Sequence, residues 1–290
     1  MRAITNYQLS INNYQLAINK VKLLITNYQL FLAVLLLALL LIITPLAAAQ
    51  AQNPVSPTEA MAVGNQNYEA GNYKEAADIY ESILAAGVRD SDLYYNLGNS
   101  YFKQGDLGQA ILNYRRAHRL NPRDSDIRVN LTIARAQTLD QLEVAGEGSF
   151  SNLIQIAEDW LTLNEAAIVA LALWVIMSVL ISIAILSPRL RRLNLGIAAV
   201  VALFLVLGLV SMANRYYREW RYPAAVIVAQ EVDVTSGPGT TEQYLVEFNL
   251  HSGAEVNVIE SRPGWRRITL PGNDFQGWVP EETIKLVAVE

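Results

Sequence analysis

AAIVALALWVIMSVLISIAIL, Ala166 to Leu186, and LGIAAVVALFLVLGLVSMA, Leu195 to Ala213, are two uncharged runs separated by SPRLRRLN. Each is about 20 residues, enough at ~1.5 Å per residue to cover a ~30 Å hydrocarbon core. Neither has the polar face of a helix that lies on a soluble domain. Pro188 breaks the chain between them, and Arg189, Arg191 and Arg192 make the break basic. The runs predict a helical hairpin over 166–213 that crosses a membrane twice; the competing reading is a pair of buried helices in a large soluble domain.

Arginine sets the expected orientation. Ser151 to Glu165 carries Glu158, Asp159 and Glu165 and no base, whereas the connecting loop has three arginines and no acid. Basic loops stay in the cytoplasm, so both flanking regions are expected on the extracytoplasmic side. Arg215, Arg218 and Arg221 follow the second run against Glu219 alone, so that helix by itself favours neither orientation.

Towards the N-terminus, NYQL recurs at Asn6, Asn13 and Asn27 in polar, low-complexity sequence with no coiled-coil seam. It reads as a translated nucleotide repeat ahead of the true start. Lys20 and Lys22 then precede LFLAVLLLALLLII, Leu30 to Ile43, and TPLAAAQAQ follows. This is the pattern of a secretory signal peptide cleaved after Ala49 or Ala51, or of an uncleaved anchor; both export the next segment. Residues 1–51 are assigned to this leader, and QNPVSP, Gln52 to Pro57, to a short linker.

The balance of the composition narrows the chemistry. Apolar residues make up 52% of the chain, cysteine is absent, there are two histidines, and the net charge is −5. Without cysteine there are no disulfide staples and few metal or nucleophile options. An acidic chain offers no general polybasic surface for nucleic acid.

Residues 57–137 carry an internal repeat. At an offset of 34, Gly64 matches Gly98, Gly71 matches Gly105, Ala76 matches Ala110, and Tyr80 matches Tyr114. The second copy reads Tyr94, Leu97, Gly98, Tyr101, Gly105, Ala110, Tyr114, Ala117, Pro122. It resembles the tetratricopeptide repeat, a pair of packed helices that stacks into an α-solenoid. Small residues let the two helices approach, tyrosines fill the space around them, Gly105 turns the chain and Pro122 stops the second helix. Val88 replaces that proline in the first copy, so the loop AAGVRD is expected to be looser. Ile127 to Gln137 reads as a capping helix with Leu131 at an apolar position.

The resemblance implies a concave groove lined by Met61, Asn65, Tyr68 and Glu69, then Tyr95, Asn99, Phe102 and Lys103, which would hold an extended peptide or a helix. Alternatively, Tyr68 and Phe102 pack on the next repeat and bind nothing. The lysines of the carboxylate-clamp subclass are absent, with Met61 and Asp126 in their places, so recognition of a C-terminal carboxylate is not expected.

A Gly/Ser linker follows Glu143. Phe150, Leu153, Ile154, Ala157, Trp160 and Leu161 then fall at helical spacing, predicting an amphipathic helix over 149–162 that lies in the membrane interface or packs on the solenoid. Thr162 and Glu165 form a T-x-x-E capping box. After the second run, Tyr216, Tyr217, Trp220 and Tyr222 suggest an interfacial aromatic belt ended by Pro223. Residues 223–288 alternate short strands and turns: AAVIVAQ, EVDVT, SGPG, YLVEFNL, AEVNVIE, WRRITL, GWVP. VDVTSGPGT, FNLHSGAEV, Trp265 and QGWVP resemble the bacterial SH3-like β-barrel, with Thr235 where that family usually has arginine. Tyr244, Trp265 and Trp278 are its candidate surface aromatics, or else members of its core.

No catalytic constellation emerges. His118 sits among Arg115, Arg116 and Arg119, His251 lies alone in a turn, and the Asn130-Leu131-Thr132 sequon falls inside a helix. The fold class expected is therefore a multidomain α + β membrane protein with solenoid, transmembrane hairpin and SH3-like barrel. This order is similar to the BatE family of the bacterial aerotolerance operon, over about residues 55 to 288. The resemblance implies a non-enzymatic, cofactor-free scaffold in the cytoplasmic membrane. It also implies envelope partners of the von Willebrand type and a MoxR-type ATPase. The alternative is a cell-wall sensor that binds peptidoglycan through the SH3-like part.

Overall fold

The computed structural model of the chain describes residues 56–140, 161–240, 243–270 and 275–288. The leader, the linker after Glu143 and all but the last residues of the expected amphipathic helix lie outside these. Five helices form the repeat region: α1 (Pro57–Glu69), α2 (Tyr73–Ala85), α3 (Ser91–Gln104), α4 (Leu107–Leu120) and α5 (Ser125–Arg135), each packed on the next. Aspartates start three of them. Asp90 accepts from the Asp92 and Leu93 amides, Asp106 from Gln109, and Asp124 from Asp126 and Ile127. Such caps satisfy amides that the first turn leaves open. A left-handed Gly105 (φ 80°) ends α3.

The small-against-tyrosine pairing is visible in both copies. A Cβ on Gly64 would sit 2.4 Å from Tyr80 Cε1, and one on Gly98 2.7 Å from Tyr114 Cδ1. The glycines exist because the tyrosine rings occupy that space. The loop after α2 is not loose. Without a proline it is closed by left-handed Gly87, and Arg89 Nη1 donates to the Leu84 carbonyl at 2.6 Å.

Two further helices follow, α6 (Leu163–Leu186) and α7 (Arg191–Arg221). The capping box opens α6: Thr162 Oγ1 accepts from the Glu165 amide and the Glu165 carboxylate accepts from the Thr162 amide. Both helices are long and apolar enough to cross a membrane, and only 6% and 11% of their most apolar stretches are buried in the protein. Ala184, Ala198 and Leu205 are buried, while Ile168, Leu186, Phe204 and Val210 stand exposed. Two details differ from the sequence reading. Arg191 and Arg192 belong to the first turn of α7 rather than the loop, and α7 continues through the expected aromatic belt to Arg221. Nothing in 214–221 breaks a helix; Pro223 comes only after it.

The C-terminal region is an antiparallel sheet of β1 (Ala224–Ile227), β2 (Glu231–Thr235), β3 (Val246–His251), β4 (Glu255–Arg262), β5 (Trp265–Thr269), β6 (Gln276–Pro280) and β7 (Ile284–Leu286), in the order β3-β2-β6-β5-β4-β1-β7. The sheet is open, not the closed barrel expected from sequence: β3 and β7 form its two edges. It nevertheless curls, since Leu250 of β3 and Ile284 of β7 join one core with Val234, Val256 and Ile268. Bulges at Val234/Thr235 and Val258/Glu260 supply local bending. The strand β7, preceded by a 3₁₀ turn at Glu281–Thr283, was not read from sequence.

The repeats and the sheet share a core. Ile111, Leu112 and Tyr114 of α4 and Leu131 of α5 cluster with Val226 and Val287. Gly108 makes the approach possible: a Cβ there would lie 2.7 Å from the Ile227 carbonyl oxygen and 3.0 Å from Val228 Cα, both backbone. Its amide donates to Ser252 Oγ at 3.0 Å. Around this contact Arg135 holds Glu255 through Nε (2.5 Å) and Nη2 (3.0 Å), and Arg115 Nε reaches Glu255 at 3.2 Å. Arg116 Nη2 donates to the Leu286 carbonyl at 2.9 Å, and Asp140 accepts from the His251 amide at 2.5 Å.

Burial alone would push the Glu255 carboxyl up, but Arg115 and Arg135 outweigh it and hold it below the ordinary value. A depressed carboxylate contributes stability that is full above the unfolded pKa, ~4.3, and is lost as pH falls through the folded value below it. Glu255→Gln should therefore cost about 1–2 kcal/mol at neutral pH, between the cost of breaking an exposed and a buried pair. Thermal unfolding of the full chain against pH checks this. The gap between wild type and variant should be flat from about pH 7 to 5 and close below ~4.

Candidate functional site

A hydrogen-bonded amide network runs beneath the helix face formed by α1, α3 and α5. Asn65 Oδ1 accepts from Tyr80 Oη at 2.7 Å and from Asn96 Nδ2 at 3.2 Å. One repeat later, Asn99 Oδ1 accepts from Tyr114 Oη at 2.7 Å and from Asn130 Nδ2 at 2.9 Å. The second triad is the first shifted by 34 positions. Each asparagine satisfies the hydroxyl of a buried tyrosine and ties its helix to the next one in the stack. Burial pushes the Tyr80 hydroxyl up to about 12 and raises that of Tyr114 as well. Both stay protonated donors across the physiological range.

Above this network lies a recess of about 260 Å³ lined by Tyr68, Tyr95, Asn99, Phe102, Lys103, Tyr114, Asn130 and Ile133. Tyr95 and Tyr114 meet at 6.0 Å between ring centroids, and Tyr68 packs edge-on to Tyr73 at 5.3 Å. Asn130 Nδ2 also donates to Tyr95 Oη at 2.9 Å. Lys103 is exposed at the rim, and Ile133 is 45% exposed. The recess thus offers ring faces, amide groups and one cation within a small volume, enough for one or two side chains of a bound segment.

The structure brings together Tyr68, Tyr95, Asn99, Phe102 and Lys103. It leaves out Met61, which packs on the α2 core with Ala76 and Tyr80, and Asn65, whose acceptor is occupied by Tyr80 and Asn96. Tyr68, Tyr95 and Phe102 also pack against core clusters, so the two roles weighed for such residues coexist. Asn130, Tyr114 and Ile133 were missed. The 34-residue offset from Asn96 could have flagged Asn130, which the sequence offered only as a sequon inside a helix.

The aromatics proposed for the sheet surface fare differently. Trp278 is buried, 5% exposed, with the Arg262 guanidinium 4.7 Å from its ring centroid, so its indole is not a free surface. Tyr244 is half-buried against Gly237, and Trp265 is half-buried at the start of β5 opposite Arg262 and Pro280. Thr235 donates its hydroxyl to the Gly237 and Trp278 carbonyls at 2.8 and 3.2 Å, so the position is committed internally. No group of three or more metal-ligating side chains occurs among the described residues. His251 pairs with Asp140 Oδ1 at 3.1 Å, and His118 borders a second, larger cavity between repeats and sheet rather than a plain solvated face.

A tetratricopeptide-repeat family model matches residues 91–124, which are α3, α4 and the turn after them. The chain therefore contains at least one such repeat, a class of fold used for protein–protein interaction. No curated protein matches the chain.

Removing the shared acceptor should cost more than removing either donor. Asn99→Ala strands the Tyr114 hydroxyl and leaves the Asn130 amide with Tyr95 Oη as its one remaining acceptor, a loss of about 1–3 kcal/mol, against about 0.5–1.5 for Tyr114→Phe. Denaturant unfolding of the single and double variants should show non-additivity, because both changes touch one network.

Proposed function

We propose that this protein is a membrane-anchored, non-enzymatic scaffold whose repeat groove holds a segment of another membrane or envelope protein. The observation that carries the reading is the recess over Asn99 and Asn130, where rings, amides and Lys103 converge on the same face. Ring faces take apolar side chains, amide groups take a peptide backbone, and Lys103 favours a partner with an acidic residue at the rim. An extended or helical segment of a protein meets these terms better than a small metabolite does. Von Willebrand-type proteins of the envelope are the finer form of the partner, on the strength of the resemblance in domain order.

Anchoring rests on α6 and α7, whose apolar side chains need an apolar surrounding that the other described residues do not supply. With Arg189, Arg191 and Arg192 at their junction, the cytoplasmic side is that of the hairpin turn, and repeats and sheet lie outside. The curled sheet with a 3₁₀ turn before its last strand supports an SH3-like module, opened at one seam. Binding of peptidoglycan by that module is the weaker reading, because Trp278 is buried and Thr235 is already bonded.

A photo-crosslinking side chain at Phe102 tests the groove in native membranes, with the same probe at exposed Lys74 on α2 as the reference. The expected result is a discrete protein adduct at Phe102 that is absent at Lys74 and lost in Lys103→Glu. Equal labelling at both positions, or adducts only with wall fragments, counts against the scaffold.

A further inference from the structure

The sheet has two edges, and they are finished differently. β7 ends one side under α4: Arg116 Nη2 donates to the outward carbonyl of Leu286 at 2.9 Å, and Lys285 Nζ donates to Gln109 Oε1 at 3.5 Å. β3 ends the other side, and among the described residues no strand lies beyond it. The Ser252 amide donates to the Gln230 carbonyl at 3.1 Å. The alternation of an antiparallel ladder then turns the main-chain groups of Leu250 and Phe248 towards β2 and those of His251 and Asn249 away from it. Asp140 takes the His251 amide, which leaves Asn249 to offer its N–H and C=O to an incoming strand. Glu247 is the extra residue where the register steps from Val234/Phe248 to Thr235/Val246. A bulge at an edge shortens the run that another strand can follow. The edge therefore admits a short strand, and side chains must supply the rest of the hold.

Such side chains are at hand. Leu245, Val246 and Phe275 are each more than half exposed, and Phe275 packs edge-on to Phe248 at 5.9 Å, so an apolar patch adjoins the open stretch. The charge beside it has one sign. No lysine or arginine lies on β2 or β3. Asp233, the cross-strand neighbour of Asn249, is exposed, as is Glu247, and neither is in an ion pair among the described residues. Glu231 accepts from the neutral Asn249 Nδ2 at 2.8 Å. A second copy of β3 would set carboxylate against carboxylate across the joint, whereas lysine or arginine complements them.

We propose that the open stretch of β3, with Leu245, Val246 and Phe275, docks a short extended segment of a partner protein in which basic residues alternate with apolar ones. The segment pairs its main chain with Asn249, lays apolar side chains beside Phe248 and Phe275, and turns its bases towards Asp233 and Glu247. This surface is separate from the repeat groove, and its chemistry depends on neither the groove nor the membrane reading.

The probe is a capped heptapeptide of alternating lysine and valine, titrated into the full chain in nonionic detergent and read by fluorescence anisotropy. A glutamate–valine heptapeptide tests the charge, and a lysine–valine heptapeptide with N-methylated valines tests the main-chain pairing. Asp233→Lys/Glu247→Lys is run beside Asp233→Asn/Glu247→Gln, with thermal unfolding as the check on folding. The lysine–valine peptide should bind, weaken at least about tenfold in the charge-reversed variant and less in the neutral one, weaken with salt, and fail to bind when N-methylated. Its binding should slow exchange of the Asn249 amide and persist in Lys103→Glu. No binding, equal binding of the glutamate–valine peptide, binding unchanged in the folded charge-reversed variant, or loss in Lys103→Glu overturns the proposal. An Asn249 amide that is already slow without peptide overturns it too. Slowing that grows with protein concentration assigns the strand to a second copy, and slowing independent of concentration assigns it to the chain's own residues 141–160.

Discussion

The close approach of α4 to the sheet, permitted by the bare Cα of Gly108 and held by Glu255 between Arg115 and Arg135, is the constraint on which the described structure depends. A side chain at Gly108 would meet backbone, which cannot move aside as a flexible side chain can. The contact turns two small modules, each marginal alone, into one core that contains Ile111, Leu131, Val226 and Val287. It also fixes where the repeat groove stands, because α4 carries both Gly108 and Tyr114, the latter a pillar of the amide network under the groove.

The hairpin is tied into the same body. Arg123 of the solenoid pairs with Glu165 in the first turn of α6, and Arg119 pairs with Glu219 near the end of α7. Arg215 adds a bond to the Leu161 carbonyl at 2.8 Å. These contacts surround the end of the helices that carries the exposed aromatics. The repeat region is thus seated on the long helices rather than tethered to them.

Much of this was legible in the chain. The 34-residue offset disclosed the repeats because small-residue and tyrosine positions must recur for each helix pair to pack. The capping box at Thr162 and Glu165 and the length of the apolar runs placed the long helices. The groove was legible only in part: Tyr95, Asn99 and Phe102 follow from repeat position, whereas Asn130 is supplied by the capping helix. Met61 was drawn into core packing by its neighbours. Two things could not be read. A docking between modules more than 100 residues apart leaves no periodic trace, so nothing in the sequence marks Gly108 as a point of contact. Eight arginines dispersed over three segments vanish into a net charge of −5, although folding collects them around one cavity. The open sheet was hidden for a similar reason: strand pattern reports alternation, while closure depends on whether the short β7 can reach β3.

The most direct measurement is the distance between solenoid and sheet in the intact protein. The chain lacks cysteine, so a cysteine pair at exposed Lys74 and Asp233 can carry spin labels without background. Pulsed dipolar spectroscopy in detergent and in bilayers should give a single narrow distance distribution, and Gly108→Val should broaden it. A broad distribution in the wild type, unchanged by Gly108→Val, would contradict a solenoid and sheet that fold as one body.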